Sequence, residues 1–172
     1  MVKRVAMFKG AVSIMIAAVV ILSLFVTSCS PKRGLGNAKK DLQSNLELFV
    51  ITRDFLVEEE YDYISIRFRG EGTMFVNKTD TPYVPIDNDE VIEALDLLRQ
   101  RGFEHTLKYK DSVQFYRRSH SEIYYGIVYS MDGQAPDDTV VQFLTKIEPL
   151  TEEGWYYFEG DYNRYRVLDI SG

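Results

Sequence analysis

The sequence predicts an α+β domain in which an antiparallel meander sheet of five to seven strands carries two helices packed on one face. Residues 38–57 and 87–101 place their apolar residues at helical spacing. Most of the remaining chain consists of short runs in which apolar and polar residues alternate, separated by short polar turns. Such runs indicate neighbouring antiparallel strands. Layer packing then places both helices against one face of the sheet.

The first predicted helix spans residues 38–57. Its apolar residues stand at positions i, i+4, i+7 and i+8, which form one face of an α-helix: Leu42, Leu46, Phe49 and Val50. Asn37 is placed to cap its first turn.

Residues 61–69 predict the first strand. Ile64, Ile66 and Phe68 point one way, and the polar residues between them point the other. A glycine-rich turn, a hairpin partner and a loop with two prolines follow at residues 70–72, 73–77 and 79–85.

The second predicted helix, residues 87–101, has clear signals at both ends. Acidic residues and a capping residue stand at its start, and Arg99 and Arg101 stand at its end, as the helix dipole favours. Gly102 is a natural C-cap. The predicted buried face comprises Val91, Ile92, Ala94, Leu95 and Leu98.

From residue 103 the chain predicts a meander. In its first run Phe103, His105, Leu107 and Tyr109 are expected on one face. The predicted strands are residues 103–110, 113–118, 122–129, 139–147, 155–159 and 164–168, with a polar loop at 131–138.

The N-terminal residues have the parts of a secretory signal. A basic start with Lys3, Arg4 and Lys9 precedes an uncharged apolar run. The run ends in Val26-Thr27-Ser28-Cys29, and Cys29 is the only cysteine of the chain. This ending resembles the lipobox of bacterial lipoproteins. The resemblance covers residues 1–29 and implies that Cys29 receives a diacylglycerol and becomes the first residue after cleavage.

This resemblance divides the chain into three parts: a signal peptide at 1–28, a lipidated cysteine and linker at 29–37, and a single extracytoplasmic domain at 38–172. It implies a lipid anchor in the cell membrane or outer membrane. The alternative is an uncleaved transmembrane helix, since about 20 apolar residues span a bilayer. Basic residues flank the run on both sides, so the positive-inside rule does not choose between them.

Charge restricts the partners of the domain. From Asp41 onward the chain has 13 Lys and Arg against 26 Asp and Glu, a net charge of −13, whereas the linker is basic. Nucleic acid is excluded as a partner, because binding it requires a positive surface. A basic linker is suited to an anionic membrane surface.

No catalytic, metal-binding or cofactor motif is recognised. His105 and His120 lack zinc-ligand spacing, and His105 is expected to be a hydrogen-bonded strand residue. The loop acids Asp132, Asp137 and Asp138 do not match a calcium loop and are expected in exposed turns. The chain contains no GxSxG, GxGxxG or P-loop sequence, so no cofactor is predicted.

A surface of tyrosines and arginines is the predicted binding surface. It comprises Tyr63, Arg67, Arg69, Tyr116 and Arg118, on strand faces expected to be exposed together with Tyr156 and Phe158. Tyr and Arg are enriched at binding hot spots. The competing interpretation is cross-strand stacking that only stabilises the sheet.

The sequence therefore favours a non-catalytic binding or accessory module of the cell envelope, with a protein, peptide or envelope polymer as partner. Two alternatives stay open. One is an envelope hydrolase with a carboxylate-based site that includes His105. The other is an immunity or inhibitor protein, because an acidic body is suited to a basic target enzyme.

Overall fold

The computed structural model describes residues 34–69, 73–78, 84–117 and 123–163, with the backbone alone described at 67–69 and 73–78. Several sequence predictions lie outside these ranges: the signal peptide, Cys29, the linker up to residue 33, Arg118, His120 and the strand at 164–168. No helix of the described ranges combines the length and apolar content that crossing a membrane requires.

The described residues form two helices and eight strands, which confirms the predicted α+β class. In chain order they are α1 Leu35–Glu58, β1 Tyr63–Arg69, β2 Thr73–Lys78, β3 Val84–Pro85, α2 Asp89–Gln100, β4 Phe103–Tyr109, β5 Ser112–Arg117, β6 Ile123–Ser130, β7 Leu144–Pro149 and β8 Trp155–Asp161. The two-residue β3 adds an edge strand within the stretch predicted as a loop.

Helix α1 is longer than predicted and begins without a side-chain cap. Its N-cap is Gly34 with φ of 128°, and not Asn37, whose backbone N–H donates to the Gly34 carbonyl. Near the middle, Asn45 leaves helical geometry and its side chain donates to the Asp41 carbonyl at 2.8 Å, so the helix is kinked there. The buried positions recur with the period of a helix: Ala38, Leu42, Asn45, Phe49, Thr52 and Leu56.

Helix α2 is slightly shorter than the predicted 87–101, but its capping signals are those expected from the sequence. The Asn88 side chain accepts a hydrogen bond from the Val91 N–H at 3.2 Å, and Asp89 and Glu90 occupy the first turn. After the last turn Gly102 has φ of 90°, a conformation that glycine adopts without steric cost.

The eight strands form one antiparallel sheet in the order β3-β2-β1-β4-β5-β6-β8-β7. The predicted meander holds for β4, β5 and β6. After β6 the sequential order is broken, because β8 lies between β6 and β7. The strand predicted at 139–147 begins only at Leu144, since Asp137 accepts hydrogen bonds from both the N–H and the hydroxyl of Thr139 and holds a turn.

The helices cover one face of the sheet, which we call the helix face. There Phe49 of α1 makes edge-to-face contacts with Phe103 at 5.1 Å, Phe115 at 4.9 Å and Trp155 at 5.8 Å between ring centroids. Such pairs add to the stabilisation from buried area. Buried residues from both helices and from four strands complete this main core: Leu42, Leu56, Ile64, Ile66, Leu95, Leu98, Val113, Ile127 and Tyr157.

The opposite face, which we call the second face, carries a smaller core under residues 131–143. Val141 is fully buried and packs with Val128 and Phe158. The 131–143 segment therefore crosses the second face before β7 forms at the sheet edge.

A bulge in β4 corrects the predicted strand faces. Phe103 pairs with Arg117, but His105 pairs with Tyr116, so one extra residue is inserted between the two pairs. As a result, Phe103 lies on the helix face, while His105 lies on the second face. The prediction that these two residues share a face was wrong, because strict alternation holds only without a bulge.

Candidate functional site

A pocket of about 390 Å³ lies on the second face, between the sheet and the 131–143 segment. Strands β1, β4, β5 and β6 supply most of its wall, and the remainder comes from Val140 and Gln142 of the 131–143 segment and from Tyr162 after β8. Its lining is dominated by tyrosine: Tyr63, His105, Leu107, Tyr109, Tyr116, Arg117, Tyr124, Val140, Gln142 and Tyr162. This size is within the range of small-molecule sites.

The stacked rings of His105 and Tyr116 form one part of the wall. Their centroids are 5.4 Å apart and their planes differ by 25°. His105 Nε2 is 2.9 Å from the hydroxyl oxygen of Ser65 on β1, so the imidazole is held from behind by a neighbouring strand. The pair aligns because the β4 bulge brings His105 opposite Tyr116.

A buried glutamine joins this wall to the 131–143 segment. Gln114 has no exposed surface; its Oε1 accepts a hydrogen bond from the Tyr116 hydroxyl. Its Nε2 donates to the Ser112 hydroxyl at 3.0 Å and to the Val140 carbonyl at 3.1 Å. Because both the oxygen and the nitrogen of the Gln114 amide are hydrogen-bonded, Gln114 connects the Tyr116 side chain and the 131–143 segment to β5.

Tyr124 forms a second aromatic part of the pocket wall, next to the His105–Tyr116 pair. Its ring lies 5.6 Å from Tyr116 and 4.8 Å from Tyr162, with tilted planes in both pairs. Tyr124 is nearly buried, whereas Tyr162 is 53% exposed at the pocket edge. Phe158 lies beneath, with its ring 5.1 Å from that of Tyr116. The tyrosines thus form a continuous ring surface.

The pocket is aromatic and carries little charge. Burial raises the pKa of Tyr116, and burial likewise raises the pKa of Tyr124, so both phenols are neutral at physiological pH. Among the described lining residues there is no carboxylate and no lysine. Arg117 directs its guanidinium to Asp41 at 2.8 Å and over the Phe103 ring at 4.5 Å, both on the helix side.

The structure brings two of the predicted surface residues together. Tyr63 and Tyr116 line the same pocket, while the side chains of Arg67 and Arg69 are outside the description, as is Arg118. The expectation of an exposed sheet face was wrong for Phe158, which is fully buried. The covering segment is the reason, since it packs on that part of the face.

Sequence reasoning missed three tyrosines of the pocket, namely Tyr109, Tyr124 and Tyr162, together with Gln114. Tyr109 was assigned a face but not a site, and the others follow from the position of the 131–143 segment. A possible signal was the placement of Gly126 and Gly160 in apolar strands, since a glycine inside a strand marks a close approach.

The acidic residues Asp132 and Asp137 of the 131–143 segment accept hydrogen bonds that stabilise turns, as predicted. Asp132 Oδ1 accepts from the Ser130 hydroxyl at 2.6 Å and from the Gln134 N–H at 2.9 Å, which lowers the pKa of Asp132. Hydrogen bonds from Thr139 likewise lower the pKa of Asp137. Within the described ranges no three His, Cys, Asp or Glu side chains are grouped as a metal site requires.

The Ser65 and His105 contact has the atom types of a nucleophile and a base. Ser65 has no exposed surface and does not line the pocket, so its hydroxyl faces no space for a substrate. The contact therefore serves as support for the His105 ring. No protein-family model, curated protein or solved structure matches this chain.

Proposed function

We propose that this protein is a lipid-anchored, extracytoplasmic binding module of the cell envelope that holds a ligand in the tyrosine-lined pocket without transforming it. The observation that carries the proposal is the pocket itself: a concave aromatic site on a folded sheet, with its inner polar groups already bonded within the protein. Concave sites with few oriented polar groups are the usual form of small-molecule sites.

Non-catalytic binding is supported by what the wall offers chemically. General acid–base or nucleophilic catalysis needs a group aimed at the ligand. His105 Nε2 is engaged with Ser65, and the Tyr116 hydroxyl is engaged with Gln114. The groups nearest to the ligand therefore present mainly ring surface.

Anchoring at Cys29 is the second part of the proposal. It is supported by the lipobox-like ending of the apolar run and by the absence of any second cysteine in the chain. The basic residues between Cys29 and Asp41 are suited to an anionic membrane surface, which would leave the acidic domain in the aqueous phase.

The binding site is tested by ¹⁹F NMR of the full chain in a non-ionic detergent, with every tyrosine replaced by 3-fluorotyrosine. Glucose, glycylglycine, acetate and choline serve as probes of different chemistry. At least one probe should move the signals of Tyr63, Tyr124 or Tyr162, each assigned from its Phe variant. The signal of Tyr61, which lies outside the pocket, should not move. If no probe moves a pocket signal, the pocket is not the ligand site.

Serine hydrolysis is the competing function to be excluded, because Ser65 and His105 are in contact at 2.9 Å. It is tested by labelling with a fluorophosphonate, which reacts with activated serines. If the protein is labelled and the labelling disappears in Ser65→Ala, the protein is a serine hydrolase and the non-catalytic binding function is wrong. We expect no labelling, because Ser65 is fully buried.

A further inference from the structure

We propose that the pocket binds a small organic cation whose charge is shielded by alkyl groups, with a quaternary ammonium as the simplest member of the class. This inference rests on the proposed binding function and names its ligand chemistry. It follows from three properties of the wall: its ring surface, its charge and the state of its polar atoms.

The first property is the aromatic surface that five tyrosines give to the pocket. Tyr63, Tyr109, Tyr116, Tyr124 and Tyr162 line one pocket of about 390 Å³. The negative face of an aromatic ring attracts a cation, and the attraction is larger when water is excluded. Several tyrosines around one concave site form the kind of enclosure that recognises quaternary ammonium groups.

The charges of the pocket wall and of the whole domain favour a cationic ligand over an anionic one. The described lining has no lysine, and its single arginine, Arg117, pairs with Asp41 on the helix side. An anion would therefore meet no available cation among the described residues of this wall. The chain from Asp41 onward carries 13 basic against 26 acidic residues, and such a field attracts cations and repels anions.

The polar atoms of the inner wall favour an alkylated ammonium over a sugar, whereas the Gln142 amide and the other tyrosine hydroxyls line the rest of the pocket. A sugar loses its hydrogen bonds to water on burial and needs replacements from the wall. On the inner side, His105 Nε2 and the Tyr116 hydroxyl are already used by Ser65 and Gln114. A quaternary ammonium has no N–H group to satisfy, so it loses nothing there.

The experiment compares choline with 3,3-dimethyl-1-butanol, its neutral isostere, on the full chain in a polyoxyethylene detergent. Dissociation constants are measured from the ¹⁹F shifts of the fluorotyrosine signals. Choline should bind at least about tenfold more tightly than the isostere, since only its charge differs. Glucose and acetate complete the probe set.

Tyr162 provides the matched variants, because it is 53% exposed and its replacement should leave folding intact. Tyr162→Leu should weaken choline binding three- to tenfold, whereas Tyr162→Phe, which keeps the ring, should stay within about twofold. Tyr61→Leu, outside the pocket, should have no effect.

Each other outcome has a separate meaning. Equal binding of choline and the isostere, or tighter binding of glucose or acetate, overturns the cation proposal and leaves the binding function standing. An unchanged choline affinity in Tyr162→Leu overturns it as well. If none of these probes moves a pocket signal, the cation proposal fails together with the pocket as a binding site.

Discussion

The ring of Tyr124 lies over Gly160, the residue directly opposite to it in the β6–β8 ladder. A Cβ atom on Gly160 would lie 2.2 Å from the Tyr124 ring. Gly160 therefore makes the space in which the Tyr124 ring lies against the sheet. Gly126, two residues along β6, pairs with both Tyr116 and Phe158, but a Cβ there would meet the Phe115 backbone carbonyl and the Phe158 ring.

Replacing the two glycines should destabilise the fold to different degrees. In Gly126→Ala the new Cβ meets the Phe115 carbonyl oxygen at 2.0 Å, and this backbone atom cannot move without breaking the sheet. We expect a loss of about 3 kcal/mol in the free energy of unfolding. Gly160→Ala pushes only the Tyr124 ring and should cost about 1–2 kcal/mol.

Gly36→Ala is the control for these variants, because nothing lies within 4 Å of its Cβ position in α1. It should stabilise the protein by up to about 1 kcal/mol, since alanine is the better helix former. Urea unfolding of the three variants measures their free energies of unfolding and thus their order of stability. The steric argument is wrong if Gly126→Ala is as stable as Gly36→Ala.

The Gln114–Tyr116 hydrogen bond should couple the two side chains energetically. Tyr116→Phe leaves the buried Gln114 Oε1 without its donor, and we expect a cost of about 1–2 kcal/mol. Gln114→Met removes the bonds to Ser112 and Val140 as well and should cost about 2–3 kcal/mol. The double variant should lose clearly less than the sum of the two single losses.

Denaturant unfolding of this double-mutant cycle gives the coupling energy. As a control, Thr52→Val can be combined with Gln114→Met, because the Thr52 hydroxyl donates to the Leu48 carbonyl within α1 at 2.9 Å, on the other face of the sheet. These two losses should add. Additive losses for Gln114 and Tyr116 would show that their hydrogen bond is not formed in solution.

The Asp41–Arg117 ion pair should stabilise the protein less at neutral pH than its geometry suggests. Burial raises the pKa of Asp41 and outweighs the opposing effect of Arg117, although the two groups are 2.8 Å apart. A carboxyl group with a raised pKa in the folded state binds its proton more tightly there than in the unfolded chain. Its contribution to stability is therefore full below about pH 4 and falls as pH rises through the raised pKa.

Asp41→Asn tests this sign, because asparagine keeps the shape and cannot ionise. Relative to the variant, the wild type should be most stable at pH 3 and should lose that advantage by pH 7. Urea unfolding at several pH values measures the difference, in which the titration of all other groups cancels. A wild-type advantage that grows from pH 3 to pH 7 would show that Arg117 outweighs burial.

Lipid attachment at Cys29 should be visible in the mass of the N-terminal peptide from the membrane fraction. We expect a peptide that begins at Cys29 and carries a diacylglycerol, because cleavage follows modification in bacterial lipoproteins. In Cys29→Ala this peptide should be absent. A terminus at Met1 or Val2 with unmodified Cys29 would instead indicate an uncleaved transmembrane anchor.

Both helices and the α+β class could be predicted because their signals are local. The spacing of Leu42 and Phe49, and the cap and C-terminal glycine around α2, act within one or two turns of chain. Two errors had non-local causes. Because of the β4 bulge, Phe103 and His105 lie on opposite faces of the sheet. In addition, β8 lies between β6 and β7.

The candidate site could be predicted only in part. Strand alternation assigned Tyr63 and Tyr116 each to a strand face that was expected to be exposed, and both line the pocket. Tyr124 and Tyr162 could not be placed there, because their positions depend on the 131–143 segment and on the end of β8. Segment and sheet meet through the Gln114–Val140 hydrogen bond, and no local pattern predicts that contact.

The sequence by itself determined the class of the fold, its two helices, the central meander and the acidic charge of the domain, because these depend on residue type and on spacing along the chain. Only the tertiary structure decided which residues face one another across the sheet. A single inserted residue exchanges the faces of a strand. A segment that buries Val141 over the second face converts an exposed sheet surface into a pocket. Both effects arise from packing between residues far apart in the chain.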